Sequence, residues 1–320
     1  MSIMITGGTG FIGAEVARLL VHGGNDSVAL FDLNTSTQRL GNLTEKVEII
    51  RGDLGNFSHV LDAVRRTKPK TIYHFGGMLT LPSDADPQAA FRANAMGTFH
   101  VLEAARLFDN PQVIFSSSRQ TYGLGIEDET KITDLTLQRP QMFYGACKLF
   151  GENMGLFYRR KYGLDFRGIR YPAIVGPGVK TPGAVQFISW MVESAIRGEP
   201  FTVWVKPETK APFLYFKDAA RAAVLLAKTP KESIQMVNYV ISGVTPTPSV
   251  AELAQVVNDR IPEAQISFDP DEELQMILDK ALLPIDETYA SKEWGWKIEY
   301  GMEEMVDDFI LEMEQDSKKS

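Results

Sequence analysis

The sequence predicts an α/β protein: a doubly wound parallel sheet followed by a smaller C-terminal α/β cap. Three observations carry this. Short apolar runs at Ile3–Thr6, Val28–Asp32, Val47–Ile50, Thr71–Phe75, Val113–Ser116 and Phe166–Arg170 have the length and composition of strands buried on both faces. Segments of helical period lie between them, at Phe11–Val21, Ser58–Arg66, Gln88–Leu107 and Met142–Tyr162. The connections are short, so each strand–helix–strand unit closes by a right-handed crossover and the strands run parallel.

The first helix carries Ile12, Val16, Leu19 and Leu20 on one face and stops at Gly23-Gly24, which supply a left-handed cap. The helix over Met142–Tyr162 stops before Gly163 in the same way. After Tyr171 the alternation gives way to a Pro/Gly-rich stretch, Pro172 to Gly183. A helix around Ala184–Arg197, a strand at Phe201–Val205, a helix at Asp218–Ala227, a strand at Val237–Ser242 and a helix at Ser249–Ile261 follow. Met305, Phe309, Ile310 and Met313 recur at helical spacing in the acidic end, which reads as a packed terminal helix. The expected division is a sheet-bearing domain over 1–171 and a cap over 172–320, with about 211–242 returning to the sheet.

Composition narrows the function. Net charge is −8 and no long basic run exists, which excludes a nucleic-acid partner whose phosphates demand a cationic stripe. The longest apolar runs, such as Ala219 to Ala227, are too short to cross a bilayer. Met1 is followed almost at once by strand-like sequence, leaving no room for a leader, so a cytoplasmic protein is expected. With one cysteine, Cys147, and four scattered histidines, neither a disulfide scaffold nor a metal site is expected. The expected partner is a small molecule.

The glycine pattern says which kind. Thr6-Gly7-Gly8-Thr9-Gly10-Phe11-Ile12-Gly13 lies where the first strand turns into the first helix, the context of a Rossmann-type dinucleotide loop. Gly7 permits the tight turn, Gly10 lets backbone amides reach the diphosphate, and Gly13 lets helix and strand approach. The helix N-terminus favours the phosphate charge. Asp32, about twenty residues on, is placed to accept from both ribose hydroxyls and to repel a 2′-phosphate, so NAD is expected over NADP. The next cation, Arg39, is too far along the chain to read as a phosphate clamp. Asp53, just before Leu54, either accepts from the adenine amine or caps the following helix.

Tyr144 and Lys148 stand four residues apart on a predicted helix, one turn apart on one face. A neighbouring cation lowers the pKa of a phenol, so Tyr144 is expected to take the hydroxyl proton of a secondary alcohol as the carbinol hydride leaves. Lys148 is also expected to bond the nicotinamide ribose. Ser118, in Phe115-Ser116-Ser117-Ser118 after the fifth strand, is the candidate for holding the substrate oxygen; Ser117 is the runner-up.

The glycine loop, His74-Phe75-Gly76-Gly77, Asn94-Ala95-Met96-Gly97-Thr98, the Ser116–Gly123 run and the Tyr144/Lys148 pair resemble the extended short-chain dehydrogenase/reductase superfamily. That group includes nucleotide-sugar epimerases and dehydratases. The resemblance implies acid–base roles for Ser118 and Tyr144 and electrostatic support from Lys148. It also implies cofactor contacts around Phe75, Gly76, Gly77, Ser116 and the Tyr171 backbone, with Asn94 as a structural polar residue. A homodimer built through a helix bundle is implied too.

Within the group, Arg139–Gly145, Lys161–Asp165, Arg170-Tyr171-Pro172 and Ala290–Tyr300 are similar to short-chain-type L-threonine 3-dehydrogenases. Nucleotide-sugar enzymes usually carry an asparagine where this chain has Ala173. The chain departs from the threonine type at Lys180–Gln186, where a Gly-Thr-Thr-Asp-like run is replaced mainly by Pro, Gly, Ala and Val. Loss of the acid removes the partner of a substrate ammonium. Met78, Ala173, Ala184, Gln186 and Trp190 are the expected substrate neighbours. The reading is an NAD-dependent dehydrogenase of a small hydroxy or amino-hydroxy acid. Its rivals are an epimerase or dehydratase that retains NAD, and a non-catalytic NAD-sensing protein.

Overall fold

Strands form where the buried apolar runs lie, and helices fill the gaps. The computed structural model describes residues 2–180, 183 and 185–317. The first half runs β1 (Ile3–Thr6), α1 (Phe11–His22), β2 (Val28–Asp32), β3 (Glu48–Arg51), α2 (Phe57–Thr67) and β4 (Thr71–His74). It continues through α3 (Thr80–Ala85), α4 (Pro87–Ala90), α5 (Gly97–Leu107), β5 (Gln112–Ser118), α6 (Phe143–Tyr162) and β6 (Phe166–Tyr171). The second half holds β7 (Ala173–Val175), α7 (Phe187–Arg197), β8 (Phe201–Val203), β9 (Phe213–Tyr215), α8 (Phe216–Lys228) and β10 (Asn238–Val240). Last come α9 (Val250–Arg260), β11 (Ile266–Phe268), α10 (Glu272–Ala281), α11 (Thr288–Trp294) and α12 (Met302–Ser317).

Seven strands make one parallel sheet in the order β10-β6-β5-β4-β1-β2-β3. The order reverses between β1 and β4, and a dinucleotide binds at such a switch point, beyond the strands' C-terminal ends. Residues 216–240 rejoin this body: β10 pairs with β6, and the Ala219, Ala220, Ala222 and Ala223 face of α8 is buried in the cluster that holds α1. A second core joins α7, α9 and α12 through Phe187, Met191, Leu253, Val257, Met305 and Phe309. The terminal segment is thus the packed helix that its spacing predicts.

Several expectations need correction. The helix expected over Gln88–Leu107 is interrupted by a π-helical turn, Phe91–Met96, which carries the buried Asn94. The strand expected at Phe201–Val205 ends at Val203 and pairs with β11 away from the main sheet. The Pro/Gly-rich stretch contains β7, which pairs in parallel with β9. The helix expected from Ala184 begins at Phe187; Ala184 itself lies outside the described residues.

α6 lies unusually close to the sheet because its glycines remove side chains where strands pass. A Cβ on Gly155 would stand 2.2 Å from the Phe166 ring, and one on Gly151 would stand 2.6 Å from Phe115. That approach brings the helix to the end of β5, where the serines are.

Candidate active site

The glycine loop has the backbone that a dinucleotide needs. Gly7 is left-handed (φ +65), and a Cβ there would stand 2.7 Å from the Gly76 nitrogen. A Cβ on Gly13 would come within 2.2 Å of the Gly7 carbonyl oxygen, so only glycine lets α1 start this close to β1. Gly10 is the N-cap of α1 and its amide donates to the Gly7 carbonyl at 3.1 Å. Phe11 and Ile12 open the helix, and the Phe11 ring stacks on Phe216 at 5.1 Å. The residues of this loop fit a diphosphate.

Asp32 ends β2 and ties its carboxylate to the loop: Oδ2 accepts from the Thr9 amide at 3.2 Å and from the Thr9 hydroxyl at 2.8 Å. Arg39 folds back toward the start of α1. Its guanidinium carbon lies 4.8 Å from the Phe11 ring centroid, and Nη2 donates to the Gly178 carbonyl at 2.6 Å. Asp53 does not cap α2; Asn56 does, accepting from the Ser58 and His59 amides, while Asp53 Oδ1 accepts from the Gly55 amide at 2.8 Å. Leu54 is buried beside Gly76.

The turn after β4 is fixed by two polar residues. His74 sits buried between the hydroxyls of Thr6 (2.7 Å) and Thr98 (3.0 Å), and burial pushes its pKa down to about 3. Asn94 clamps Met78 in both directions, accepting from its amide at 2.7 Å and donating to its carbonyl at 3.0 Å. A Cβ on Gly77 would collide with that Asn94 oxygen. Phe75 stacks on Tyr73, at 6.3 Å between ring centroids, and holds the other side of the turn.

Ser118, Tyr144 and Lys148 come together. A Cβ on Gly145 would stand 2.0 Å from the Gln120 carbonyl oxygen, so the start of α6 is pressed against the turn that follows β5. There the Ser118 hydroxyl lies by the Tyr144 phenol and favours its ionised form. Lys148 Nζ lies 5.5 Å from the Tyr144 ring centroid and donates to the Ser116 carbonyl at 2.7 Å. Ser117 points elsewhere, its hydroxyl bonded to the Glu152 carboxylate. Geometry therefore separates the two serines that sequence left as rivals.

The charges correct one expectation. Burial holds the Tyr144 phenol up at about 12, opposed by the Ser118 hydrogen bond, rather than letting the lysine lower it. Burial also drives Lys148 down to about 8, opposed by Cys147 and Glu152.

Glu152 was missed in the sequence, although residues 144, 148 and 152 step along one helix face. Arg119, directly after Ser118, is another omission: a cation that burial pushes down to about 10. On the substrate side, Ala173 lies on β7 opposite Phe213. Gln186 is the N-cap of α7, and its buried Nε2 has no hydrogen-bond partner. Trp190 donates to the Val179 carbonyl at 2.9 Å and packs on Trp204. The Tyr171 hydroxyl donates to the Ala219 carbonyl at 2.9 Å, which leaves only its backbone for other contacts. Among the described residues no cluster is arranged to hold a metal, and no helix is long and apolar enough to cross a membrane.

A dinucleotide cradle at the switch point of a parallel sheet, beside a serine, a tyrosine and a lysine, defines an NAD-dependent oxidoreductase. Residues 3–242 match the NAD dependent epimerase/dehydratase family, and the chain belongs to it. It is 30% identical to the mitochondrial L-threonine 3-dehydrogenase of Bos taurus over 311 residues, covering 95% of this chain and 80% of that one. The holo form of a GalE-like L-threonine dehydrogenase from Cupriavidus necator superposes with a TM-score of 0.84 at 27% identity, covering 97% and 99% of the two chains. UDP-glucose 4-epimerase of Thermotoga maritima shares the fold at a TM-score of 0.84 and 22% identity, covering 98% and 99%.

Proposed function

We propose that the chain interconverts a secondary alcohol and a ketone on a small hydroxy or amino-hydroxy acid, releasing its reduced cofactor. Tyr144 moves the hydroxyl proton at its phenolic oxygen, Ser118 holds the substrate oxygen, and Lys148 supplies the charge that stabilises the phenolate. The meeting of Ser118, at the end of β5, with Tyr144 and Lys148, on the first turns of α6, carries this reading. When bound, NAD supplies the hydride acceptor and a positive charge beside the phenol. Lys148 and that charge together oppose the burial that keeps the phenol protonated.

The domain division at about residue 171, with 211–242 in the cofactor-binding body, belongs to the same reading. Gly7, Gly10, Gly13, Asp32 and the turn at Phe75–Gly77 then face the cofactor. Met78, Ala173 and Gln186 face the substrate. The relatives named for threonine suggest a substrate of that size. The unpartnered Gln186 amide is a donor, which fits a carboxylate or carbonyl oxygen, a group that hydroxy acids and threonine share. We further read the enzyme as a cytoplasmic homodimer, because Phe91, Leu107, Phe150 and Leu156 expose apolar surface on the helical segments over 87–107 and 143–162. Sedimentation velocity checks that.

The test is a screen of secondary alcohols with NAD, beginning with L-threonine and L-3-hydroxybutyrate and read as reduced-nicotinamide absorbance. Tyr144→Phe is expected to abolish turnover and to leave NADH affinity within about twofold, since only the transferable proton is removed. Undiminished turnover in that variant removes the mechanism. Tight retention of NAD with no net reduction, together with binding of a nucleotide diphosphate sugar, replaces it with an epimerase.

A further inference from the structure

Residues 6–13 hold four glycines, so the loop that receives the diphosphate has unusual backbone freedom to lose. Ordering such a loop weakens binding unless folding has already fixed it. Its large side chains are Phe11 and Ile12. Phe11 opens α1 and packs against the second core, whereas Ala14, Val16, Ala17 and Leu20 of the same helix belong to the first. The contact is with Phe216, whose ring stacks on Phe11 at 5.1 Å between centroids and 22° between planes. A Cβ on Gly176 would stand 2.6 Å from Phe216 and 2.8 Å from Phe11, so the segment after β7 rests on both rings.

Phe216 is held in turn by its neighbours, which both bond to the last helix. The Asp308 carboxylate on α12 accepts from the Tyr215 hydroxyl at 2.8 Å and lies 2.8 Å from the Lys217 ammonium. That ammonium also lies 2.7 Å from Glu312, one turn further along α12. Tyr215 is completely buried and meets Phe216 edge-on at 4.8 Å between centroids. Lys217 faces α1 as well. Glu15, one turn beyond Phe11, is buried; burial pushes its carboxyl up, and the charges of Arg18 and then Lys217 oppose that. One ammonium therefore serves acids on both the first helix and the last.

We propose that Lys217 is a positioning residue for the dinucleotide: fixed by Asp308 and Glu312 of α12, it seats Phe216 against Phe11 and so holds the glycine loop in its binding form. The C-terminal helix then contributes to cofactor affinity through this segment. This rests on the chain's use of NAD and not on which alcohol it oxidises.

The experiment titrates the full-length protein with NADH by fluorescence, which gives both the affinity and the number of binding sites per chain. Phe216→Leu is expected to weaken NADH about fivefold, the worth of one aromatic pair, and Lys217→Met by a similar factor. The double variant is the sharper reading. It should again lose about fivefold, and not the roughly 25-fold to which independent effects multiply, because Lys217 acts through Phe216. Arg260→Met breaks the surface pairs of α12 with α9 at Glu303 and Asp307 and leaves Lys217 alone, so its NADH affinity should stay within about twofold of wild type. Unchanged affinity in Lys217→Met, a multiplied loss in the double variant, or an equal loss in Arg260→Met overturns the proposal. So does a Lys217→Met protein with fewer sites per chain at unchanged affinity, the mark of simple instability. Should Lys217→Met fail to fold, Asp308→Asn takes its place and is expected to weaken NADH about threefold; wild-type affinity there overturns the proposal equally.

Discussion

Arg170 grips Glu152 at two points, with Nε 2.9 Å from one carboxylate oxygen and Nη2 2.8 Å from the other, and both side chains are buried. The pair joins β6 to α6 one helical turn beyond Lys148. Ser117 extends it to β5. Tyr122 and the Asp134 carbonyl accept from the remaining Arg170 nitrogen, so every Arg170 nitrogen has an acceptor. A buried ion pair adds little net stability over an apolar pair, yet leaving one partner unmatched costs about 3–5 kcal/mol.

Glu152→Gln is therefore expected to lower unfolding free energy by roughly 3 kcal/mol in urea titration. Ser117→Ala removes one neutral-to-charged hydrogen bond from the same cluster and should cost about 1–2 kcal/mol while leaving turnover near wild type. Ser118→Ala is the contrasting case. It should cost only about 1 kcal/mol of stability, through the bond its hydroxyl accepts from the Gln120 amide, and cut kcat by about a hundredfold, the usual loss when an oxygen-stabilising donor is removed. Equal kcat losses for the two alanine variants would erase the distinction drawn between the serines.

Asp32→Ala tests the cofactor preference. The carboxylate already accepts from both Thr9 donors, so its removal loosens the glycine loop as well as deleting the ribose acceptor. Affinity for NAD should fall about tenfold or more, and affinity for NADP should fall less or rise, because repulsion of the 2′-phosphate is relieved. Fluorescence titration with the two reduced cofactors decides it; a larger loss for NADPH reverses the assignment of Asp32.

Much of this was legible in the chain. The six first strands follow from apolar runs, and Ser118, Tyr144 and Lys148 meet because helix period and strand order bring them together. Three kinds of feature were not legible. Arg39 reaches Gly178 through a loop whose path depends on tertiary packing, and no local pattern encodes that. The phenol's protonation depends on burial, which raises its pKa more than proximity to Lys148 can be inferred to lower it. Asn94 illustrates a third case: its motif marks a helix, but the π turn that aims it at Met78 leaves no period in the residues.

His74 gives the clearest pH signature. Held neutral between Thr6 and Thr98, it has its pKa pushed down to about 3 by burial and then by the charge on Lys148. The unfolded chain takes up a proton near the ordinary histidine value of about 6.5, while the folded chain does not until far lower. The stability that His74 contributes is thus complete above about pH 6.5 and drains away as pH falls toward 3, at about 1.4 kcal/mol per unit. Asp134 pulls the other way: burial raises its carboxyl to about 6, so protonation favours the folded state below that value. Comparing wild type with His74→Gln cancels the Asp134 contribution, which both share. The variant should be less stable at pH 7 and should close the gap steadily as the pH is lowered to 4.5. A difference that stays constant over that range would mean that His74 is not held neutral in the folded chain.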